Sequence, residues 1–166
     1  MFKSLLFAVV ALWSVQSWAQ AGAVDVSFNP SDAGMGQGDG ASGKVSAVLP
    51  LPGGGALIAG SFLTYNGTPR AGIARLLPNG ELDPAFDPGT GITFSYGSRM
   101  TLCLQPDGRY LVGGIFSQVN GVARTGVARL NTDGSLDLSF NPGSGANGNV
   151  HDLLLQPDGK VLLVGG

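Results

Sequence analysis

Short apolar runs alternate with turn-forming residues along most of the chain. Residues 45–51 form one such run, and a turn follows it. Three turns share a proline and, two positions later, a glycine: Pro52-Gly53-Gly54, Pro106-Asp107-Gly108 and Pro157-Asp158-Gly159. This chemistry is typical of β-turns, so hairpins are predicted with second strands at 56–62 and 110–116. No stretch after residue 19 combines helix formers with helical periodicity. The pattern therefore predicts an all-β chain.

Two further segments complete each predicted unit. The third strand covers 72–76 and then 126–130, and a fourth segment covers 82–86 and then 136–140. The dipeptides between the third and fourth segments predict two-residue hairpin turns with both residues at positive φ: Asn79-Gly80 and Asp133-Gly134. The dipeptides before the third strand are predicted to be loops: Asn66-Gly67 and Asn120-Gly121. Glycines in the second strand are expected to let another backbone approach closely: Gly60, Gly113 and Gly114.

The chain repeats itself at an offset of 54 residues. Residues 52–91 and 106–145 share 19 identities in 40 aligned positions without a gap. Partial copies lie at both ends, since residues 25–30 match 137–142 and residues 156–160 match 105–109. The expected organisation is a repeat region at 20–166 with these units: 25–30 in part, about 45–88, about 99–142, and about 150–166 in part.

Four short antiparallel strands in about 50 residues are the size of one β-propeller blade. The runs LDLSFNPGSGANGNVHDLLLQPDGKVLLVGG at 136–166 and NGVARTGVARLNTDGSLD at 120–137 resemble the delta-60 repeat. That bacterial family occurs in exported proteins and is associated with propeller folds, but it has no assigned activity. Gly113-Gly114 is also similar to kelch blades, although the spaced Tyr and Trp of kelch repeats are absent. The resemblance covers 25–166 and implies a β-propeller.

The number of repeats is small for such a fold. A closed propeller needs four to eight blades, and this chain supplies fewer than three. Residues 162–166 stop where the first full copy continues into its third and fourth strands, which would leave an apolar strand edge exposed. We expect the sequence to be part of a longer reading frame. The alternative is a short protein that completes its ring by self-association.

An export signal is predicted at residues 1–19. Lys3 precedes the apolar run 5–13, and Ser17-Trp18-Ala19 is a small-x-small pattern that signal peptidase accepts. Polar residues interrupt the run well before the roughly 20 apolar residues that a membrane span needs. We therefore expect a secreted, periplasmic or cell-surface protein with no transmembrane span.

Composition excludes several classes of function. The chain has 166 residues, a formal net charge of -2, one Cys and one His. Without a basic surface, nucleic acid is not an expected partner. One Cys cannot form an internal disulfide, and one His cannot anchor a conventional zinc site. No cofactor and no metal are predicted.

Two motifs suggest ligands, but simpler interpretations are preferred. Residues 38–44 read GDGASGK, as in a phosphate-binding loop, yet Val45 stands where Ser or Thr would bind magnesium and no helical pattern follows. Residues 131–137 carry spaced oxygens as calcium loops do, but the equivalent stretch 77–83 begins with Leu77 instead of an oxygen ligand. A hairpin turn explains both copies of the second motif.

Repetition also favours structural roles for other residues. Arg75 and Arg129 each precede an aspartate, Asp83 and Asp137, by eight residues across a predicted hairpin. We predict a salt bridge inside each blade, because a contact that stabilises blades recurs whereas a catalytic site does not. Cys103 aligns with leucines in both other copies and is predicted to occupy an apolar core position, not to act as a nucleophile.

The segments between units differ in length and are expected to form a binding face. From the proline after the fourth segment to the proline of the next hairpin, the intervals are 22, 18 and 15 residues. Such variation in repeat proteins collects on one face. The candidate residues at or near that face are Asp32, Asp39, Tyr96, Arg99, His151 and Asp152. Aligned with Met100 and Ser46, His151 is expected to be an exposed strand residue, not a base.

No catalytic residue is predicted, because no Ser-His-Asp set, defined carboxylate pair or phosphate cradle emerges. The function expected is that of an exported, non-enzymatic module that presents its variable loops to a protein or carbohydrate partner. The alternative is the N-terminal part of a larger secreted hydrolase or lyase whose catalytic residues lie outside this sequence.

Overall fold

The described chain is built from short antiparallel strands. The computed structural model describes residues 40–95 and 97–166, and these residues form no helix. Their strands, in chain order, are β1 (Lys44–Pro50), β2 (Ala56–Ser61), β3 (Thr64–Tyr65), β4 (Thr68–Pro69), β5 (Ile73–Leu76), β6 (Ile92–Phe94), β7 (Met100–Leu104), β8 (Tyr110–Gly114), β9 (Phe116–Val119), β10 (Val122–Ala123), β11 (Val127–Leu130), β12 (Val150–Leu155) and β13 (Val161–Gly165). The predicted all-β class is confirmed. Within this part of the chain, no helix is long and apolar enough to cross a membrane.

The same sheet is built twice and begun a third time. Unit 1 pairs its strands in the order β1-β2-β5, unit 2 in the order β7-β8-β11, and unit 3 contains β12 and β13. The registers agree, since Leu57 pairs with Arg75 in unit 1 and Leu111 pairs with Arg129 in unit 2. In units 2 and 3 the proline-containing turns close with the same backbone hydrogen bond, Gly108 N to Gln105 O and Gly159 N to Gln156 O, at 2.9 Å. The predicted hairpins and first three strands are confirmed.

The fourth predicted segment is not a strand. It makes one isolated bridge in each unit, Leu76 with Leu82 and Leu130 with Leu136. Directly after that bridge the aspartate carboxylate accepts a hydrogen bond from the backbone N–H two residues later, which turns the chain away from the sheet. This bond measures 2.8 Å in unit 1, from Ala85 N, and 2.9 Å in unit 2, from Ser139 N. The prediction of a fourth strand is therefore wrong beyond its first residue.

The two-residue turns lie where loops were predicted. Tyr65 pairs with Thr68 across Asn66-Gly67, and Val119 pairs with Val122 across Asn120-Gly121. Asn66 and Asn120 have φ of 46° and 49°, and the glycines that follow them are also positive, as a type I′ turn requires. Sequence reading missed these hairpins because their strands, at two to four residues, are too short to show alternation.

The turns at Asn79-Gly80 and Asp133-Gly134 have a different geometry from the one predicted. Only the glycines take positive φ, at 84° and 92°. Gly80 N donates to Leu77 O at 2.9 Å and Leu77 N donates to Glu81 O at 2.8 Å, so the loop contains three residues. A three-residue loop places its single left-handed residue last, and glycine occupies that position in both units.

The first strands of successive units pack beside one another. β7 lies against β1 on one side and β12 on the other. Met100 N donates to Ser46 Oγ at 2.9 Å, and Thr101 Oγ1 donates to Asp152 Oδ1 at 3.0 Å. This stacking of first strands is the arrangement expected of adjacent propeller blades.

Glycine permits the close approach of strands within each unit, as predicted. A Cβ on Gly60 would overlap the carbonyl oxygen of Lys44, and one on Gly114 would lie 2.6 Å from the carbonyl oxygen of Arg99. Gly113 faces unit 3 instead, where an added Cβ would lie 2.7 Å from Leu153 Cδ2. These glycines are therefore required by packing both inside a unit and between units.

The main apolar core runs through units 1 and 2. Phe86, which follows the bridge of unit 1, packs edge-on against Tyr110 of unit 2 with ring centroids 6.0 Å apart. The largest side chains with almost no exposure are Phe62, Phe86, Leu57, Ile73, Leu111, Leu130, Val112 and Val119. Burial of this shared core stabilises the two units against separation as well as against unfolding.

The predicted arginine-aspartate pairs are both formed. Arg75 Nε lies 2.8 Å from Asp83 Oδ2, and Arg129 Nε lies 2.8 Å from Asp137 Oδ2. Arg75 also extends to unit 2, where its Nη1 donates to the carbonyl oxygen of Thr132 and to Tyr110 Oη. The first pair therefore joins two units, which the prediction of a salt bridge inside each blade did not include.

Cys103 is half-buried and not part of the core, so its predicted core position is wrong. It lies on β7, an edge strand of its sheet, and the aligned Leu154 of β12 is 59% exposed. Leu102 and Leu104 on either side of Cys103 pack against the main core. Because successive side chains of a strand point to opposite faces, Cys103 points away from that core.

Candidate functional site

A groove of about 400 Å³ opens between unit 2 and the segment that leads into unit 3. We call it the linker groove and define it by its lining residues: Thr93, Phe94, Ser95, Gly114, Ile115, Phe116, Ser117, Thr125, Gly126, Ala146, Asn147, Gly148 and Asn149. Its volume lies within the roughly 300–1,000 Å³ typical of small-molecule sites. None of these side chains is ionisable, so the groove presents no formal charge.

The walls of the linker groove come from unit 2 and from the segments between units, here called linker 2 (residues 88–99) and linker 3 (residues 142–149). Both linkers leave the preceding unit with the same bonds. Ile92 N donates to Ala71 O, and Ala146 N donates to Thr125 O, each at 2.9 Å. Beyond that point eight residues separate Gly91 from Met100, whereas four separate Gly145 from Val150. Linker 2 uses the added length to form β6, which pairs with β9.

The equivalent space beside unit 1 is filled by linker 2. The Cβ position of Gly72 lies 3.0 Å from Phe94 Cε1 and 3.1 Å from Ile92 Cβ. Beside unit 2, a Cβ added to Gly126 would lie 2.9 Å from Ala146 Cβ, and the Ala146 side chain ends at that carbon. The shorter linker 3 and the smaller Ala146 therefore leave the space open.

Two wall positions also change chemistry between the units. Ser117 of unit 2 stands at the position of Leu63 in unit 1, and Thr125 stands at the position of Ala71. Both changes introduce a hydroxyl group beside the open space. The groove therefore differs from its filled counterpart in both volume and polarity. A simple packing defect would change the volume alone.

The polar side chains of the linker groove are available to a ligand. Six hydroxyl and amide side chains line it: Thr93, Ser95, Ser117, Thr125, Asn147 and Asn149. All six are exposed, and none makes a side-chain hydrogen bond within the part of the chain that the structure describes. Exposed hydroxyl and amide groups of this kind can hydrogen-bond to water, which a ligand of suitable shape can replace.

The candidate residues from sequence are distributed differently. Asp32, Asp39 and Tyr96 lie outside the described residues. Arg99 is exposed just before β7, and its carbonyl oxygen accepts from Ile115 N at 3.2 Å. His151 and Asp152 lie on β12, where the Asp152 carboxylate bonds to Thr101. None of the three described candidates lines the linker groove, although linkers 2 and 3 both do. A direct role for these candidates in binding stays a prediction.

His151 is an exposed strand residue, as expected, but its predicted alignment is partly wrong. Val150 pairs with Gly165 and Asp152 with Val164, so His151 occupies a β-bulge. Ser46 occupies the matching bulge in β1, whereas β7 has none and Met100 corresponds to Val150. The extra residue in β12 shifts the alignment by one, which sequence comparison without structure could not detect.

The two motifs set aside at the sequence level have structural roles. In the first motif, Lys44 begins strand β1 and not a helix. Gly38 and Asp39 of that motif lie outside the described residues. In the second motif the Asp133 carboxylate accepts from Ser135 N at 3.0 Å and from Ser135 Oγ at 2.7 Å. The Ser135 hydroxyl lowers the pKa of Asp133 through this bond. Among the described residues, no group of three His, Cys, Asp or Glu is placed to hold a metal ion.

Comparison with known families supports the repeat architecture. A family model described as "Domain of unknown function (DUF5122) beta-propeller" matches residues 57–86 and 105–140. The matched segments are therefore similar to β-propeller repeats. The two matched segments contain nearly all of β2 to β5 in unit 1 and β8 to β11 in unit 2, and they leave out β1, β7 and the whole of linkers 2 and 3. The predicted fold class, a partial propeller, is confirmed. No curated protein and no solved structure matches the chain.

The sequence predicted that variation lies in the linkers, but it did not predict the linker groove. The intervals of 22, 18 and 15 residues indicated where variation is concentrated. The signal that it overlooked is the set of substitutions at matched positions, Leu63 to Ser117, Ala71 to Thr125 and Ile92 to Ala146. Only the structure shows that these three positions surround one space.

Proposed function

We propose that this chain is an exported, non-enzymatic interaction module whose propeller repeats hold a binding surface formed by the linkers. We further propose that its units are delta-60 repeats and that residues 1–19 direct export. The single observation that carries the proposal is the linker groove, which replaces a filled space in an otherwise repeated framework.

The physical basis is a division of roles between the framework and the linkers. The framework is fixed in both units by identical 2.8 Å arginine-aspartate bonds and by matched strand registers. Linker 2 contributes the buried Ile92 to the core, yet the linkers differ in length between units. Such variation costs little, because loop closure entropy grows slowly with length. Binding sites on repeat proteins commonly use such variable segments.

An exchange of linkers tests this proposal. In the exchange variant, residues 146–149 are replaced by the sequence of 92–99, so that linker 3 acquires the residues that fill the space beside unit 1. Wild type and variant are screened against a glycan array and a displayed peptide library. We expect a partner that binds wild type and is lost from the variant, with an unchanged thermal midpoint as the control for folding.

A panel of polysaccharide and ester substrates completes the test. Turnover by the purified full chain would contradict a non-enzymatic role. Retention of a partner by the exchange variant, with wild-type affinity, would contradict the role of linker 3.

A further inference from the structure

The chemistry of the linker groove narrows the class of partner, an inference that rests on the proposed function. We infer that the groove binds a neutral saccharide. None of the described residues that line the groove is Asp, Glu, Lys, Arg or His, so these residues would offer no opposite charge to a phosphate, a sulfate or a sugar acid.

The hydrogen-bonding groups of the groove also match those of a sugar. Serine and threonine hydroxyls and asparagine amides each combine donors with an acceptor. Sugar hydroxyls do the same, so each can donate to one wall and accept from another. The six uncommitted groups come from β6 and the residue after it, from β9, from Thr125 and from linker 3, so several segments contribute them.

The lining of the groove also has a small apolar part. Ile115 and Phe94 are half-buried, and Ala146 is likewise partly exposed. They offer small apolar surfaces between polar groups, which suit the C–H faces of a sugar ring. A peptide partner would instead gain most of its affinity from large apolar anchors in deep pockets, and the described lining residues form no exposed aromatic pocket of that kind.

Three substitutions test the inference, and each installs the residue that unit 1 carries at the matched position. Ala146→Ile adds bulk into the space, as Ile92 does beside unit 1. Thr125→Ala and Ser117→Leu remove one hydroxyl each. Because these residues already occur in the same framework, the variants are expected to fold. Leu63→Ser is the matched control, since it adds a hydroxyl to unit 1 and lies outside the groove.

The experiment measures binding of wild type and variants to an array of neutral and acidic oligosaccharides, followed by titration with the neutral oligosaccharide of highest signal. We expect binding to neutral glycans, a loss of about tenfold or more in Ala146→Ile, and a loss of about threefold to tenfold in Thr125→Ala, as for one lost hydrogen bond. Leu63→Ser should bind like wild type.

Other outcomes overturn the inference in distinguishable ways. Binding to acidic glycans alone, or neutral binding that all three groove variants retain, would overturn it. Binding of a peptide that Ala146→Ile abolishes would overturn the saccharide class and leave the proposed module standing. Absence of binding from both the glycan array and the peptide library would contradict the inference and the proposed function together.

Discussion

The two arginine-aspartate pairs occupy the same place in successive units but have different numbers of partners, and this difference predicts unequal stability effects. The Asp137 carboxylate accepts from Arg129 Nε at 2.8 Å, from Arg109 Nη1 at 3.0 Å, and from the N–H and hydroxyl of Ser139. Its side chain is 8% exposed. The Asp83 carboxylate accepts from Arg75 and from Ala85 N, and its side chain is 18% exposed.

The expected magnitudes follow from these partners. Asp137→Asn removes two charge-assisted hydrogen bonds and leaves two guanidinium groups facing a neutral amide, for a cost of about 2–4 kcal/mol. Asp83→Asn removes one such bond, and Arg75 keeps its partners in unit 2, so the cost is about 1–2 kcal/mol. At roughly 2–4 °C per kcal/mol, the Asp137 variant should unfold about 2–8 °C below the Asp83 variant.

Urea and thermal unfolding followed by circular dichroism measure both variants. Asp158→Asn is the control, because the Asp158 side chain is 52% exposed and its pair with Lys160 lies in solvent. That variant should stay within about 0.5 kcal/mol of wild type. Equal losses for Asp83→Asn and Asp137→Asn, or a larger loss for Asp83→Asn, would refute the idea that the additional partners of Asp137 determine its contribution.

Three further predictions concern acid, a turn and a contact between units. The Ser139 hydroxyl lowers the pKa of Asp137 to about 2, so the stabilisation from the Asp137 carboxylate is present above about pH 4 and is lost as the pH falls through 2. The difference in unfolding free energy between wild type and Asp137→Asn should shrink over that range, and a constant difference would be inconsistent with this pKa. Asn120 has a φ of 49° and its Oδ1 accepts a hydrogen bond from Thr90 N at 3.1 Å. Asn120→Ala should therefore lower the free energy of unfolding by about 2–3 kcal/mol, and Asn120→Gly, which keeps the backbone conformation, by about 1 kcal/mol. Equal losses in urea unfolding would exclude backbone strain as the reason. Gly113→Ala places a Cβ 2.7 Å from Leu153 Cδ2, so a loss of about 1–3 kcal/mol is expected, and unchanged stability would mean that units 2 and 3 pack less tightly than described.

The framework could be predicted from sequence because its signals are local and repeated. Residues such as the proline at the first turn and the Arg75–Asp83 pair occur again at a fixed offset, so each supports the interpretation of the other. Where one local rule competed with another, prediction failed. Leu82 fits the pattern of a strand, but the Asp83 side chain turns the backbone at once. Asn79-Gly80 and Asn66-Gly67 are the same dipeptide, and only the strand pairing around each selects the loop length.

The linker groove could not be predicted because it depends on positions that are distant in sequence. Ser117, Thr125 and Ala146 belong to three different segments, and the space between them follows from the path of linker 3. The bulge at His151 is similar, since one extra residue in β12 changes the alignment without changing the pattern of apolar residues. Grooves and bulges depend on how strands are placed relative to one another, and side-chain periodicity does not encode that placement.

The most direct test of the account is NMR chemical-shift mapping of the full chain with the partner that the array selects. The account predicts that the backbone amides of Ser117, Thr125 and residues 146–149 shift on titration, while those of the opposite turns at 51–55 and 105–109 do not. Shifts centred on those turns, or spread evenly over both units, would contradict the claim that the linkers form the binding surface.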